Sequence, residues 1–346
     1  MKYFIGIHHP KQVYFFKNII YNLIKDGHEV LVIAVDKEVT EKLLMKFDID
    51  YALIGRNNPN ILKKISSIFL WTVETLKLAN TFQPDMYIGR ALPHFAYCSY
   101  ITRKPYIILE DTEIATNLHH ITVPFAKNVI TPSNYKGSFK DKHVKFNSNF
   151  ELCYLHPNYF TPDPTILTEL GLQMDEKYII LRFISFNAYH DKKLLGIKDY
   201  KELIEELNQY GRIFISTDFQ LPKNLEKYRL KTSPEKIHSV LYYSQLYMGD
   251  GGTMATEAAI LGTPAIHIES TIESRPTGEL SGNLLELRDK YDLLYFFADQ
   301  TSALHKAHEI LDDYQSKVNW RNKSVLYVGE KIDATKWLTE YIEHYI

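Results

Sequence analysis

Cysteine and long apolar runs are both scarce in this sequence, and each shortage excludes a class of protein. The 346 residues contain two cysteines, Cys98 and Cys153, too few for a disulfide framework or a four-thiolate metal site. No stretch approaches the roughly 18 apolar residues that a transmembrane helix requires. The apolar run at residues 3–5 is interrupted by Gly6, too early for the core of a signal peptide. We therefore expect a cytoplasmic protein from a reducing compartment.

Several catalytic signatures are also missing from the sequence. It contains no zinc-binding pair of histidines with a neighbouring glutamate, no Cys-x-x-Cys cluster, no Walker-type phosphate loop and no Gly-x-Ser-x-Gly elbow. These absences disfavour zinc enzymes, nucleotide triphosphatases and serine hydrolases. The adjacent pair His119 and His120 lies on a predicted helix, where neighbouring side chains diverge by about 100° and cannot share a metal. We predict no metal site and no bound cofactor.

The net charge of −2 conceals an uneven distribution along the chain. Residues 1–160 contain 19 Lys and Arg against 14 Asp and Glu, a balance of +5, and the remaining residues contain 21 against 28, a balance of −7. A general nucleic-acid-binding protein would be more basic. The basic half favours an anionic partner or a membrane surface, and the alternative is solvated charge that happens to be unevenly spread.

Two hydrophobic periods alternate through the first half of the chain. Residues 2–7 form a short apolar run, and Val13, Phe16 and Ile20 follow Pro10 at helical spacing. The unbroken apolar run within residues 29–35 is typical of a strand that is buried on both faces of a parallel sheet. Further strands are predicted at residues 50–54, 86–89, 106–109 and 128–131, and a long helix at 60–82. This alternation predicts a doubly wound α/β domain.

The alternation pauses where Pro157, Pro162 and Pro164 cluster, which indicates a linker. A second α/β series follows, with strands predicted at 178–184, 212–216, 246–248, 264–268 and 293–297 and helices at 198–209, 234–243, 253–261, 301–311 and 328–345. We predict two tandem Rossmann-like domains, residues 1–155 and 156–327, and a C-terminal segment, 328–346, that packs back on the first domain. Ligands of open parallel sheets bind at the carboxyl ends of the strands, so a cleft between the domains is the expected site.

The most informative segment is GDGGTMATEAAILGTPAI, residues 249–266. A strand leads into three glycines, and a helix is predicted from Thr253. Glycines allow a ligand to approach the backbone closely, and the free N–H groups of a helix start favour phosphate. We predict that Gly251, Gly252, Thr253 and Met254 bind a diphosphate and that Glu257, one turn further, reaches a ribose. The alternative is an ordinary strand–turn–helix connection.

This segment resembles the nucleotide-sugar motif of GT-B-fold proteins, such as the non-hydrolysing UDP-N-acetylglucosamine 2-epimerases and the lipid II-forming glycosyltransferase. In those proteins a glycine turn holds the diphosphate and a following Glu, here Glu257, holds the ribose. The whole chain resembles an uncharacterised family, domain of unknown function 354. The matching segments are HHPKQVYFFKNIIYNLIKDGHEVLVIA, LEDTEIA, RFISFNAYHD and the glycine run. The resemblance implies a GT-B-like α/β fold.

The sequence departs from the epimerase pattern at several positions. Arg90 stands where epimerases usually have an acidic residue, and their His-Arg…Glu-Asn segment is represented only by residues 187–191. In contrast, residues 273–276, which include Arg275, are similar to the epimerase Glu-Arg-Pro-Glu run, and Glu110 falls near the position of one epimerase carboxylate. These departures weaken an epimerase function without eliminating it.

Two groups after the strands of the first domain could supply a general base. His8 and His9 end the first strand, and histidine titrates near neutral pH; alternatively, they cap the helix that begins at Pro10. Glu110, Asp111 and Glu113 follow the strand at 106–109, where repulsion would raise the pKa of one carboxyl towards a catalytic value. Alternatively, Asp111 or Thr112 caps a helix. Glu110 is the better catalytic candidate.

Three residues of the second domain are further ligand-binding candidates. Arg182 and Arg275 could bind phosphate, because a guanidinium group matches phosphate geometry. His190, followed by Asp191, could bind the sugar or the diphosphate, or form a structural hydrogen-bonded pair. The predicted helix 60–82 could meet a lipid-linked acceptor or a membrane surface, or simply pack on the core with a solvated basic edge. The residues behind this alternative are Lys63, Lys64 and Lys77 beside Ile68, Phe69, Leu70 and Trp71.

These observations together predict a metal-independent glycosyltransferase that uses a nucleotide diphosphate-sugar, a UDP-sugar, as substrate. The first domain would hold a glycan or lipid-linked acceptor and the second the nucleotide-sugar, in the synthesis of a capsule, lipopolysaccharide or other surface polysaccharide. Peripheral contact with the inner face of the membrane would suit this role. The alternatives are a UDP-sugar 2-epimerase and a non-catalytic nucleotide-sugar-binding protein. The sequence leaves the oligomeric state open.

Overall fold

The computed structural model describes residues 1–36, 38–56, 61–184 and 194–344. The chain divides into two compact units. Unit 1 comprises residues 1–159 and 332–346, and unit 2 comprises residues 160–331. The chain crosses between the units after residues 159 and 331, where the sequence predicted boundaries after residues 155 and 327.

Unit 1 contains a parallel sheet whose described strands are in the order β3-β2-β1-β4-β5-β6-β7. The strands are β1 (Lys2–Ile7), β2 (Glu29–Asp36), β3 (Tyr51–Arg56), β4 (Met86–Gly89), β5 (Tyr106–Leu109), β6 (Asn128–Pro132) and β7 (His143–Phe146). The helices are α1 (Pro10–Lys25), α2 (Glu38–Lys46), α3 (Ile61–Phe82), α4 (Pro93–Thr102), α5 (Thr116–Thr122) and α6 (Leu152–Leu155). This strand order is that of a Rossmann-like domain.

The strands of unit 1 form where the sequence has short apolar runs, because a parallel sheet covered by helices buries both of its faces. Residues Val32, Ile33 and Ala34 at the centre of β2 have no exposed surface. Parallel pairing places the carboxyl ends of β1, β4 and β5 side by side at one edge of the sheet. Residues that directly follow these strands therefore meet in space although they are far apart in sequence.

Unit 2 contains a second parallel sheet, with its described strands in the order β10-β8-β11-β12-β14. Its elements are α7 (Thr165–Glu169), β8 (Tyr178–Phe183), β9 (Leu194–Leu195), α8 (Tyr200–Leu207), β10 (Arg212–Thr217), α9 (Ile237–Tyr243), β11 (Leu246–Gly249), α10 (Gly252–Ile260), β12 (Ala265–Ile268), β13 (Ser270–Thr271), α11 (Gly282–Asp289), β14 (Leu294–Phe297), α12 (Gln300–Asp312) and α13 (Ser316–Glu330). Strands β9 and β13 form a separate antiparallel pair. The two tandem Rossmann-like domains confirm the predicted fold class.

The predicted C-terminal helix at 328–345 is corrected by the structure. Helix α13 ends at Glu330, and α14 (Ala334–Glu343) begins after Asp333, whose carboxylate accepts the backbone N–H of Lys336 at 2.9 Å. This cap starts a new helix, so one predicted helix becomes parts of two. Helix α14 belongs to unit 1. In the described ranges, no helix combines the length and the apolar character needed to cross a membrane.

Candidate functional site

The connection from β11 to α10 forms the glycine turn that the sequence predicted. Gly251 is the N-cap of α10, with φ −87° and ψ 100°, and the helix begins at Gly252, one residue before the predicted start. The phenolic O–H of Tyr247 donates to the Gly251 carbonyl at 2.9 Å and fixes the turn against its own strand. The N–H groups of the first helical turn, from Gly252 to Met254, have no intrahelical acceptor and suit an anion.

The three glycines of this turn differ in what requires them. A Cβ on Gly249 would collide with the carbonyl oxygen of Arg182 on the adjacent strand, so packing alone requires glycine there. A Cβ on Gly251 would lie 3.2 Å from Cγ of Arg182 and from the Tyr247 hydroxyl, which is a tight fit. At Gly252 the nearest atoms would be those of the His267 ring at 3.7 Å, an ordinary contact. The protein's own packing therefore does not explain the glycine at position 252.

Among the predicted phosphate-binding side chains that the structure describes, Arg182 is the one beside the turn. It lies on β8, pairs in register with Gly249 and donates from Nη1 to the Ser216 hydroxyl at 3.1 Å. Its Cγ and Nε approach the Gly251 position. The half-buried guanidinium group thus brings a positive charge close to the start of α10.

Asp250, within the turn, was not singled out by the sequence. Asp250 is 1% exposed, and its carboxylate accepts hydrogen bonds from the backbone N–H of Ile197 at 2.8 Å and that of Ile184 at 3.4 Å. Burial raises the pKa of Asp250 to about 7, although the two N–H groups favour the charged form. The Asp250 carboxyl therefore connects the turn to the segments after β8 and β9 by hydrogen bonds, and its pKa is close to neutral pH.

A second unpredicted group lies on the other side of the turn, at the carboxyl end of β12. The buried ring of His267 has Nδ1 3.3 Å from the Gly249 carbonyl oxygen and Nε2 3.2 Å from the Thr277 hydroxyl. That hydroxyl donates to the Glu269 carboxylate at 2.6 Å. The chain of hydrogen bonds holds the His267 ring against the Gly252 position and supplies a polar wall beside the helix start.

Glu257 lies one turn inside α10, as predicted, but it is 5% exposed. Its Oε1 is 3.3 Å from Nε2 of His238, a buried residue of the neighbouring helix α9. The carboxylate is therefore held from within unit 2.

The remaining candidates of unit 2 are less closely associated with the turn. Arg275 donates from Nε to Glu279 at 2.7 Å in an exposed ion pair, and no contact with the glycine turn is observed. Thr253 is exposed and Met254 is half-buried at the start of α10. His190 lies outside the described residues.

Unit 1 concentrates buried charge where β5 ends, but the charges are opposite rather than alike. Arg90, which follows β4, donates from Nη2 to Glu110, Asp111 and the Thr112 hydroxyl. Lys11 of α1 lies 3.3 Å from Asp111 and 2.7 Å from Glu151. The prediction that these carboxylates repel one another is therefore wrong. Burial by itself raises the pKa of Asp111, but the positive charges of Arg90 and Lys11 outweigh it and hold that pKa well below its usual range.

Glu110 is a buried structural member of this ionic cluster. Its Oε1 accepts the backbone N–H groups of Asp111 and Thr112, both at 2.9 Å, and its Oε2 lies 3.1 Å from Nε2 of His119. The capping alternative is also corrected, because α5 begins at Thr116 with Ala115 as its N-cap. The loop at 110–112 is instead held by Arg90.

The two histidines after β1 have different environments. His9 is the N-cap of α1, and its Nδ1 accepts the Lys11 backbone N–H at 3.2 Å. The His8 ring stacks on His94 at 4.8 Å with an interplanar angle of 6°, beside the edge of Trp71. His94 is fully buried, and burial together with His8 lowers its pKa well below the usual value. His8 therefore belongs to an aromatic cluster at the carboxyl edge of the sheet.

Sequence reasoning missed Asp250, His267, His94 and the pairing of Arg90. Arg90 was visible only as a departure from the epimerase pattern, and its partners lie 20 to 22 residues away in the chain. Asp250 lies inside the glycine run, and it was missed because the functional prediction for that run was based on the glycines and the helix start. Among the described residues, no group of His, Cys, Asp and Glu side chains is arranged to hold a metal ion.

Comparison with solved structures defines the class of fold. The UDP-GlcNAc 2-epimerase from Neisseria meningitidis superposes with a TM-score of 0.67 at 14% sequence identity, covering 99% of this chain and 100% of that one. The glycosyltransferase SsfS6 from Streptomyces sp. SF2575 gives 0.61 at 13% identity, covering 99% and 100%. At these identities the likeness establishes the fold, and the predicted GT-B-like architecture is confirmed.

The sequence comparison gives the family. Residues 1–274 match the family described as Protein of unknown function (DUF354), and the chain belongs to that family, as its resemblance predicted. The uncharacterized protein MJ0665 of Methanocaldococcus jannaschii is 24% identical over 276 residues, which are 76% of this chain and 80% of that protein.

Proposed function

We propose that the protein is a metal-independent glycosyltransferase that binds a UDP-sugar on unit 2. The diphosphate lies at the start of α10, over the N–H groups of Gly252, Thr253 and Met254. Arg182 supplies a compensating charge, and Glu257 accepts hydrogen bonds from the ribose hydroxyls. A glycan or lipid-linked acceptor is held by unit 1, and the product enters a surface polysaccharide.

The observation that carries this proposal is that the protein's own packing does not require glycine at position 252. Glycine costs conformational entropy within a helix and is retained where a backbone or a ligand must approach closely. Since protein atoms leave room for a Cβ there, a ligand is the simplest reason for its absence. The turn lies at the carboxyl end of a parallel strand, where open α/β sheets bind ligands. The solved epimerase of Neisseria meningitidis, which shares this fold, contains bound UDP-GlcNAc.

The chemistry follows from the charges that develop during transfer. As the bond between the sugar C1 and the diphosphate oxygen breaks, its electron pair and negative charge pass to the departing UDP. The helix start and Arg182 stabilise that charge, so they replace a divalent cation. The acceptor oxygen forms the new bond to C1, and its proton passes to a base. We assign the base to His8, since His9 is committed to capping α1.

The ionic cluster of unit 1 favours transfer over 2-epimerisation. Epimerisation at C2 requires a group that removes the C2 proton and one that returns it to the opposite face. The carboxylate nearest to an epimerase position, Glu110, is instead buried and bonded to Arg90 and two backbone N–H groups. The Oε1 of Glu110 therefore already accepts hydrogen bonds from within unit 1.

The direct test of the site is the affinity of UDP for Gly252→Val, measured by titration calorimetry. Valine would fill the space over the first helical turn, so we expect the affinity to fall by about tenfold or more. The matched control is Gly329→Val, because Gly329 lies in a helix and has no atom within 4 Å of its Cβ position. Equal UDP affinity in all three proteins would show that the pocket is assigned wrongly.

The reaction is tested with a panel of UDP-, GDP- and TDP-sugars followed by NMR of the sugar protons. Without an acceptor we expect the sugar to stay intact, and with the true acceptor we expect UDP release that survives excess EDTA. Inversion at C2 would establish an epimerase instead. Complete loss of transfer in EDTA, reversed by magnesium, would contradict the role of the helix start. Saturable UDP binding without turnover on any acceptor would indicate a binding protein.

A further inference from the structure

Helix α4 of unit 1 lacks the polar outer face of an ordinary surface helix. Its ten residues include no Asp, Glu, Lys or Arg. Phe95, Ala96 and Cys98 are buried against the sheet, whereas Tyr100 is 71% exposed and Ile101 is 58% exposed. A surface helix normally carries charged and polar residues on its outer face, so the exposed Tyr100 and Ile101 of α4 suit a covering partner.

Helix α3 extends this apolar face. Phe69 is 70% exposed and Leu70 is 58% exposed. Between α3 and α4 lies a groove of about 500 Å³, lined by Phe69, Tyr97, Tyr100 and Phe125 among others. Contiguous apolar surface of this kind marks an interaction site rather than scattered single exposures.

The apolar groove adjoins a basic cavity. The cavity measures about 900 Å³ and shares Tyr100, Ile101 and Phe125 with the groove. Arg103, Lys104 and Lys127 also line it, and Arg103 and Lys127 are exposed. Asp85 is the one acid among its lining residues, and it lies 3.3 Å from Lys104. The lining therefore has an excess of positive charge directly beside exposed aromatic and aliphatic side chains.

We infer that this face of unit 1 docks on the surface of an anionic phospholipid membrane. Aromatic and aliphatic side chains that project from α3 and α4 can enter the boundary between headgroups and acyl chains. Arg103 and Lys127 then meet lipid phosphates, and each basic residue near such a surface strengthens binding. The apolar residues alone could pack against many partners. The neighbouring positive charges favour an anionic surface among them.

The same charges argue against a second copy of this chain as the partner. A two-fold interface brings the same patch of both copies together. The basic residues of each copy would then share one interface with Asp85 as the acid of the cavity lining, and like charges across an interface oppose association. An anionic bilayer compensates the same residues.

The docking face is also separate from the proposed catalytic groups of unit 1. Asp85, Pro105 and Lys127 directly precede β4, β5 and β6, so the basic cavity lies at the amino edge of the sheet. His8 lies at the carboxyl edge, after β1. Membrane docking therefore goes beyond the proposed sugar transfer and can be tested without a substrate.

The test is co-flotation of the full chain with vesicles of two compositions. One contains equal parts of phosphatidylcholine and phosphatidylglycerol, and the other contains phosphatidylcholine alone. We expect binding to the anionic vesicles, weakened by high salt because screening shortens the range of charge interactions. Phe69→Ser with Ile101→Ser should abolish most of the binding. Arg103→Gln with Lys127→Gln should reduce it on the order of fivefold for each charge removed.

Matched controls remove similar groups elsewhere. Tyr314→Ser with Met174→Ser changes side chains of unit 2 that are 86% and 79% exposed. Lys201→Gln with Lys336→Gln removes two charges whose side chains are 76% and 71% exposed. Both control proteins should bind like the parent.

Three results would overturn the inference. The first is equal binding to both kinds of vesicle, or binding to neither. The second is an equal loss of vesicle binding in the patch variants and the control variants. The third is a parent protein that is a dimer in light scattering and becomes a monomer in the Phe69→Ser, Ile101→Ser variant. UDP affinity measured on the same variants should be unchanged, so the result does not depend on the proposed transferase function.

Discussion

At the scale of single residues, Asp250 links the glycine turn to pH. The pKa of its buried carboxyl is raised to about 7 from an ordinary value of 3.8, so the folded protein binds a proton between these pH values that the unfolded chain releases. The stabilisation is fully present below about pH 4 and is lost as the pH rises through about 7. We therefore expect the free energy of unfolding to decrease over this range because of Asp250.

The measurement is denaturant unfolding of the parent and of Asp250→Asn between pH 4 and 8. The difference in stability between the two should change across this interval and level off above it, because asparagine does not titrate. Asp175→Asn, at an exposed position of the same unit, is the control. Parallel pH profiles for the parent and Asp250→Asn would show that the carboxyl is ionised throughout.

Glu110 and Arg90 provide a second prediction at this scale. Removing one member of a buried ion pair leaves the remaining charges of the cluster unbalanced, so Glu110→Leu or Arg90→Met alone should each reduce the free energy of unfolding by about 3 kcal/mol. The double variant should recover part of that loss, because neither charge is then stranded. Chemical denaturation of the four proteins measures the coupling.

Turnover measured beside stability, with UDP affinity as a control, separates the structural role of Glu110 from a catalytic one. Calorimetry should give the parental UDP affinity for Glu110→Gln, since the proposed UDP site lies on unit 2. A variant with parental stability and greatly reduced turnover would instead restore Glu110 as the proton acceptor.

At the scale of elements, α13 holds the far end of the helix whose start forms the candidate site. Arg321 donates to the carbonyls of Leu261 and Tyr242, at the ends of α10 and α9. Lys317 donates to the Tyr242 carbonyl at 3.0 Å and to the Thr263 hydroxyl at 2.6 Å. Cations at helix carboxyl ends satisfy free carbonyl groups and interact favourably with the helix dipole. Burial, with the neighbouring Arg321, lowers the pKa of Lys317 well below its usual value.

We expect Arg321→Met to lower the free energy of unfolding by about 2–3 kcal/mol, because two carbonyl groups lose a charged donor. Lys201→Met, at an exposed position of α8, should change it by less than about 0.5 kcal/mol. Hydrogen exchange resolved along the chain provides the element-level readout. Faster exchange at α9 and α10 should accompany the loss, and protection that is unchanged there would contradict the contacts of Arg321.

At the scale of the whole molecule, the chain returns to unit 1 through α14. Leu338 and Ile342 of this helix have no exposed surface, and the Thr335 hydroxyl donates to the Cys153 carbonyl at 2.8 Å. Trp337 stacks on Phe146 of β7 at 5.3 Å. The core of unit 1 is therefore completed by residues that follow all of unit 2 in the sequence.

Leu338→Ala should consequently destabilise unit 1 by about 2–5 kcal/mol, the usual cost of such a cavity. Hydrogen exchange in denaturant should show earlier opening of β1, α1 and α6 and unchanged protection of β8 and β11. Lys336→Ala, an exposed position of the same helix, should leave both units at parental stability. Equal loss of protection in both units would show that they unfold as one cooperative body.

The sequence by itself determined the alternation of strands and helices, the two Rossmann-like units and the turn at residues 249–252. These features depend on hydrophobic periodicity and on glycine, which act between neighbours in the chain. The sequence also identified His8, Glu110 and Glu257 as candidates, because they are polar residues that follow predicted strands or lie near the start of a predicted helix. Their roles could not be deduced locally.

Only the tertiary structure decided which of those residues are paired. Lys11 and Asp111 are 100 residues apart, and they meet because β1 and β5 flank β4 in the sheet. The same order brings Arg90 to Glu110, replaces the expected repulsion by a cluster of opposite charges and leaves His8 stacked on His94. Burial likewise raised the pKa of Asp250. Long-range electrostatics and desolvation depend on which segments the sheet order places together, and no local pattern in the chain encodes that order.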